Sequence, residues 1–217
     1  MTEHSKWLKA RKGGIGGSDV SCILGINQYK SKEQLWEEKT GAREPEDISD
    51  KDCIKYGKEV EKHLRAIFHL DHPEFEIIYD EYKIYHNEDY PFIQATLDGL
   101  LMHKTLGRGI YEAKSTTIQC QSQYEKWKNN SIPMEYYSQC LHEMDSAKGN
   151  YCFLDAIIRF ESIDEETGIK IINSKLNRYF FMRKQVEIDV VHNAVIKFWG
   201  NVTRNERPST PLKGDIF

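Results

Sequence analysis

The sequence predicts an α/β (α+β) fold, a central mixed β-sheet flanked by helices, and three observations predict it. Segments rich in β-branched and aromatic residues occupy the middle of the chain. Segments with apolar residues at helical spacing lie before, between and after them. Hydrophobic residues make up 39% of the chain and aromatics 12%, enough to bury a sizeable core. At 217 residues the chain is expected to form one domain, 1–217, with no internal repeat or low-complexity segment.

Residues 1–12 are polar and basic, with Trp7 and Leu8 as an apolar anchor. The glycines of GGIGGSD, residues 13–19, forbid regular helix there. Ser18 is the expected N-cap of a short helix from Asp19 to Leu24, ended by Gly25. A second helix fits Ser31 to Thr40, with Leu35 and Trp36 on its apolar side and Gly41 at its end. The charged run 42–52 reads as an exposed loop. Tyr56 to Phe68 reads as an amphipathic helix carrying Val60, Leu64, Ile67 and Phe68. FEIIYDEYKIYH (75–86) and FIQATLDGLLMH (92–103) read as strands, TLGRG (105–109) as a hairpin-type turn, and IYEAKST (110–116) as the next strand. Residues 121–128 look helical. A further helix, about Met134 to Ala147, follows Pro133 and is stopped by Gly149. YCFLDAIIRF and LNRYFFMRK form an expected strand pair, and residues 185–204 a final amphipathic helix.

The formal net charge of −4 shows no global basicity, which argues against coating of nucleic acid by bulk charge. It leaves room for a local basic groove around an acidic, metal-filled centre. No apolar run approaches the roughly 20 residues of a membrane span, and MTEHSKWLKARK leads into no apolar signal core. A cytoplasmic protein without membrane attachment is expected. The five cysteines (Cys22, Cys53, Cys120, Cys140, Cys152) are odd in number and none are spaced CxxC, so reduced, mostly buried thiols are expected.

The chemistry centres on Asp98, Glu112 and Lys114. Alternation along a strand points Glu112 and Lys114 the same way and Ala113 opposite. A turn between residues 98 and 112 can bring Asp98 alongside. Two carboxylates on neighbouring strands suit a hard divalent cation. Such a metal lowers the pKa of a bound water and stabilises charge on a phosphoryl oxygen. A lysine beside the same water can orient it. The pattern D…ExK is common by chance, and by itself reads more readily as the solvated face of an edge hairpin. Asp98, however, sits in the apolar segment ATLDGLL, where a charge is costly unless paired or metal-bound. Glu61, with Glu59 as its rival, and Gln139 lie on flanking helices from which each could project an oxygen into the same site. Near the N-terminus, a glycine-rich loop leading into a capped helix suits an anion, and Arg11 adds a forked donor for phosphate; the same glycines read equally as a tight loop that serves backbone geometry alone. GGIGGSD is neither a Walker loop nor GxGxxG.

The blocks WLKARKGGIGGSDVSCILG, YGKEVE, ATLDGL, YEAKS and YYSQCLHEM occur in the order found in the lambda-type phage exonucleases, also called YqaJ-like viral recombinases, of the PD-(D/E)xK superfamily. The chain resembles that family over residues 7–148. The resemblance implies a restriction-endonuclease-like fold and a 5′→3′ exonuclease acting on double-stranded DNA ends. It implies Asp98 and Glu112 as metal-binding carboxylates, the Ala113 carbonyl as a further metal ligand, and Lys114 as the catalytic lysine. Glu61 would help bind a second metal, and Gln139 would stand near the attacking water. Arg11 and Ser18 would contact the 5′-phosphate. Mg²⁺ or Mn²⁺, two ions per site, a ring-shaped homotrimer and a single-strand annealing partner are likewise implied. The other readings are an endonuclease or flap nuclease of the same superfamily, and a non-catalytic DNA-end-binding scaffold. An iron–sulfur cluster is not expected, because no cysteine follows Cys152. Zinc at His69 and His72 is not expected either. His142, one turn from Gln139, reads as a helix residue of mixed exposure.

Overall fold

The computed structural model describes residues 2–209; the extreme ends of the expected 1–217 domain lie outside them. In chain order the helices are α1 (Glu3–Lys12), α2 (Val20–Ile23), α3 (Lys32–Thr40), α4 (Asp52–Asp71), α5 (Gln121–Glu125), α6 (Met134–Ala147) and α7 (Gln185–Thr203). The strands are β1 (Glu76–Ile78), β2 (Tyr85–His86), β3 (Gln94–Ala95), β4 (Gly99–His103), β5 (Gly107–Ile118), β6 (Tyr151–Ile163) and β7 (Lys170–Met182). Among the described residues a five-stranded sheet runs β1-β4-β5-β6-β7, with β2 and β3 paired separately. The β5–β6 pair is parallel and the other pairs of the main sheet are antiparallel. The expected mixed sheet is therefore present. Its parallel pair requires a crossover, which α5 and α6 supply.

Period-2 alternation in β5 divides the molecule. Ile110 packs with Cys152, Leu154 and Ile158 into the core beneath α2, α6 and α7. Tyr111 and Ala113 face the other way, into a second core with Val60, Leu64 and Phe68 of α4. Glu112 and Lys114 share the phase of Ile110, so both belong to the α6 side. The helix α4 is long and amphipathic because Val60, Leu64 and Phe68 recur every four residues on its buried face.

Several boundaries differ from expectation. Residues 3–12 form a helix, capped where Thr2 Oγ1 accepts from Ser5 N at 3.2 Å. It buries no residue, so no apolar periodicity announced it. Ser18 is not an N-cap. Gly17–Asp19 form a 3₁₀ turn, α2 is only four residues long, and the Asp19 carboxylate accepts from Gly16 N at 3.0 Å instead. The segment 75–86 is not one strand, because Asp80 Oδ1 accepts from Tyr82 N and turns the chain between β1 and β2. The segment 92–103 is likewise split between β3 and β4, with Asp98 in the gap. The helix expected over 121–128 ends at Glu125. At the end of α6 it is Lys148, not Gly149, that turns left-handed, with φ 54°. By contrast, Ser31 and Gln34 make a reciprocal capping box and Gly41 closes α3 in the left-handed conformation, as expected.

Among the described residues every cysteine is free; Cys22, Cys140 and Cys152 are buried, and Cys53 and Cys120 are exposed. His72 packs among Phe68, Phe75 and Phe153, with its Nδ1 3.2 Å from Glu74. No helix of the described residues is long and apolar enough to cross a membrane.

Candidate active site

The site forms where β4 and β5 meet α6 and α4. Gly99 pairs with Tyr111, so Asp98, one residue before β4, falls beside Glu112. Asp98 Oδ2 accepts from Ala113 N at 2.9 Å, and Arg65 donates to the Asp98 carbonyl at 3.1 Å. The Glu112 side chain is buried. Its Oε1 takes both an ion pair from Lys114 and a 2.6 Å hydrogen bond from Gln139 Nε2. The Gln139 amide nitrogen is also 2.8 Å from Glu143 Oε1. The structure thus brings Asp98, Glu112, Ala113, Lys114 and Gln139 together. Glu61 approaches from α4, while Glu59 points into solvent against Lys62 at 2.5 Å.

The electrostatics are those of crowded carboxylates. Burial, then the charge of Glu112, pushes Asp98 up to about 7, against the pull of Lys114 and Arg65. Burial, then the charge of Asp98, pushes Glu61 up to about 7. Burial works against the Lys114 ammonium, but Glu112, Asp98 and Glu143 outweigh it and raise its pKa above the ordinary lysine value.

Among the described residues no three His, Cys, Asp or Glu side chains stand close enough to share a metal ion. The donor chemistry nevertheless fits a hard divalent cation. Asp98, Glu112 and Glu61 offer only carboxylate oxygens, and their mutual repulsion is what a bound cation relieves.

A cavity of about 420 Å³ opens beside this cluster, and Ser18, Tyr29, Lys114, Trp127, Tyr136 and Gln139 are among the residues lining it. Ser18 therefore shares a cavity with Lys114 and Gln139. Arg11 is not among the lining residues: its guanidinium lies 4.6 Å from the Trp7 ring centroid and next to Gly16 of the glycine loop. The loop is laid along β3 by Ile15 N donating to Phe92 O at 2.7 Å and Gln94 N donating to Ile15 O at 3.0 Å. Its free amides are fewer than expected, because Ile15, Gly16 and Asp19 N–H groups are already engaged. With α2 only one turn long, a helix dipole is not available for an anion either.

Two residues that sequence reasoning did not single out, Lys39 and Glu143, help hold this arrangement, and His142 does so in a role the sequence did not predict. Lys39 joins Asp19 Oδ2 at 2.8 Å and Gly14 O at 2.7 Å. Burial opposes the Asp19 charge, but Lys39 outweighs it and holds the carboxyl below its ordinary value. No local pattern links Lys39 to a loop so distant in sequence. Glu143 is buried, four residues after Gln139 on α6, and that spacing was the available signal. His142 is fully buried rather than of mixed exposure. Its Nε2 lies 3.0 Å from the carbonyls of both Ile15 and Gln94, so it braces the glycine loop and does not face the carboxylates.

The family model described as YqaJ-like viral recombinase domain matches residues 6–150. The chain belongs to the YqaJ-like viral recombinase family. It is 27% identical over 208 residues to the uncharacterized protein YqaJ of Bacillus subtilis (strain 168), covering 91% of this chain and 56% of that protein. The chain thus spans about half the length of that relative. Among solved structures, it is similar to an alkaline exonuclease (LHK-Exo) from Laribacter hongkongensis, with TM-score 0.65, 17% identity, and 93% and 94% of the two chains covered. It is also similar to a phage-related exonuclease from Haemophilus somnus 129PT, with TM-score 0.58, 13% identity, and 88% and 96% covered. At these identities the likeness is one of fold.

Proposed function

We propose that this YqaJ-like domain, residues 1–217 as one nuclease unit, is a divalent-metal-dependent DNA exonuclease. It degrades double-stranded ends 5′→3′ and leaves 3′ single-stranded tails for recombination by strand annealing. The observation that carries the reading is the convergence of Asp98, Glu112 and Lys114 with Gln139, with Glu61 adding a carboxyl pushed up by burial and by Asp98. The exonuclease names of the two structural neighbours support the same reading.

Asp98, Glu112 and the Ala113 carbonyl would hold one Mg²⁺ or Mn²⁺, and Glu61 with Asp98 a second. When bound, such ions supply Lewis-acid charge at the phosphoryl group and a more acidic water. Lys114, fixed by Glu112, orients the attacking water and offsets negative charge developing in the transition state. Gln139 accepts or donates beside that water. Ser18 in the cavity would contact the terminal 5′-phosphate, and Arg11, next to Gly16 of the loop, would have to turn from Trp7 to join it. A homotrimer encircling DNA in the cytoplasm, working with a single-strand annealing protein, completes the reading.

The test is digestion of linear duplex, with and without a 5′-phosphate, beside a covalently closed circle, in Mg²⁺ or Mn²⁺. The expected result is loss of linear duplex only, faster with the 5′-phosphate, and at least about 10²-fold slower for Lys114→Ala. Equal cutting of the circle would replace the exonuclease by an endonuclease. DNA-end binding with no cutting in either metal would replace it by a scaffold.

A further inference from the structure

Glu143 is an unusual group for a helix interior. It is 1% exposed, and its Oε2 has no hydrogen-bond partner. Its Oε1 accepts from Gln139 Nε2 at 2.8 Å, while the same nitrogen donates to Glu112 Oε1 at 2.6 Å. A primary amide has two N–H donors on nitrogen and an acceptor-only oxygen. Here both donors meet carboxyl oxygens. Turning the amide over would set its oxygen against Glu112, which in its ion pair with Lys114 has only acceptors to offer. One orientation is therefore strongly preferred. We propose that Glu143 is a positioning residue that acts through Gln139: together with Glu112 it holds the amide nitrogen inward and leaves the amide oxygen as the acceptor presented to the cavity that Gln139 lines.

The consequence for catalysis rests on the nuclease reading above. An amide oxygen facing the cavity accepts a proton of the attacking water and so aims its lone pair; a freely rotating amide would present donor and acceptor in turn. Burial of a carboxyl with one unsatisfied oxygen is costly, so a residue with no purpose beyond packing would be better replaced by an apolar side chain. Glu143 also explains the glycine at position 17. A Cβ there would stand 2.7 Å from Glu143 Oε1 and 2.9 Å from Gln139 Cγ. The loop backbone closes directly over this pair.

The test uses the full chain with Glu143→Leu, Glu143→Gln, Gln139→Ala and the double variant Glu143→Leu/Gln139→Ala. In Glu143→Leu, kcat on linear duplex should fall about tenfold with KM within about twofold. Glu143→Gln keeps an acceptor oxygen and should recover most of that loss. In the Gln139→Ala background, Glu143→Leu should cost nothing further, since its partner is gone. Independently of activity, the Gln139 side-chain amide, assigned by its loss from the ¹⁵N–¹H spectrum of Gln139→Ala, should show both protons protected from exchange in the parent. One of them should lose protection in Glu143→Leu. Equal loss in both backgrounds, a rise in KM with kcat kept, or an amide unmoved by Glu143→Leu would each overturn the proposal. If the parent cleaves no DNA, the nuclease reading falls, and the amide spectrum still decides the role of Glu143.

Discussion

At the residue scale, the buried polar groups of one sheet divide into those whose charge is met within the fold and those whose charge is not. Asp155 on β6 is 0% exposed, yet Arg178 donates to both its oxygens, at 2.7 and 2.8 Å, and Tyr111 adds a hydroxyl at 3.0 Å. Its ion pair is complete without a ligand. Arg178→Met would strand the Asp155 carboxylate, and breaking one partner of such a buried pair costs about 3–5 kcal/mol. Urea unfolding should show that loss with the slope unchanged, and a loss under about 1 kcal/mol would mean that water reaches Asp155. Around Asp98 and Glu61 the balance is the reverse: burial and a neighbouring carboxylate raise both groups despite Lys114 and Arg65. Asp98, Glu112 and Lys114 were legible in the sequence because strand alternation and an apolar setting constrain them. Glu143 and Lys39 were not, since a glutamate or lysine inside a helical pattern reads as a surface charge until tertiary packing buries it.

At the scale of elements, the glycine loop shows how close backbone approach fixes a site. A Cβ at Gly14 would stand 2.5 Å from the carbonyl oxygen of Phe92, a backbone atom that cannot swing aside. At Gly16 the nearest atom would be the end of the Arg11 side chain at 3.4 Å, ordinary contact. Gly14→Ala should therefore destabilise by about 1–3 kcal/mol and free the loop from β3, whereas Gly16→Ala should leave thermal unfolding nearly unchanged. Melting of the two variants side by side checks this, and equal midpoints would mean that the Ile15–Ile93 bridge is not a tight constraint. The same elements show where sequence reading succeeds. The helices α3, α4, α6 and α7, and the β4–β5 hairpin, followed from periodicity, caps and turn residues, because each buries a continuous apolar face or carries its own punctuation. The helix α1 buries nothing. It is tied down by the Trp7 indole donating to Thr96 at 3.1 Å, a contact across distant sequence. The break between β1 and β2 is made by a local turn, in which Asp80 accepts from Tyr82 N through its side chain and from Lys83 N through its carbonyl, and β-branched neighbours masked it.

At the scale of the whole molecule, an acidic centre within a chain of net charge −4 must show itself in how stability depends on pH and cations. Asp98 and Glu61 both titrate near 7 in the folded protein, above the roughly 4 of an unfolded chain. Between those values the folded state holds protons that the unfolded state has released. Stability from these two groups is therefore greatest at the acid end of the window and falls as pH rises from about 4 to about 7, then levels. Carboxyls held below their ordinary value, such as Asp19, act only below that window and in the opposite sense. The expected outcome in a chelator is that the parent loses thermal stability, relative to Asp98→Asn, as pH climbs from 5 to 8. Mg²⁺ or Mn²⁺ should raise the melting temperature of the parent more at pH 8 than at pH 5.5, because only the ionised carboxylates bind it, and should raise Asp98→Asn much less. Scanning fluorimetry across pH with and without the cation measures all of this. A parent that gains stability relative to Asp98→Asn as pH rises, or a cation shift that is the same at both pH values, would mean that the carboxylates are not crowded enough to call for a metal.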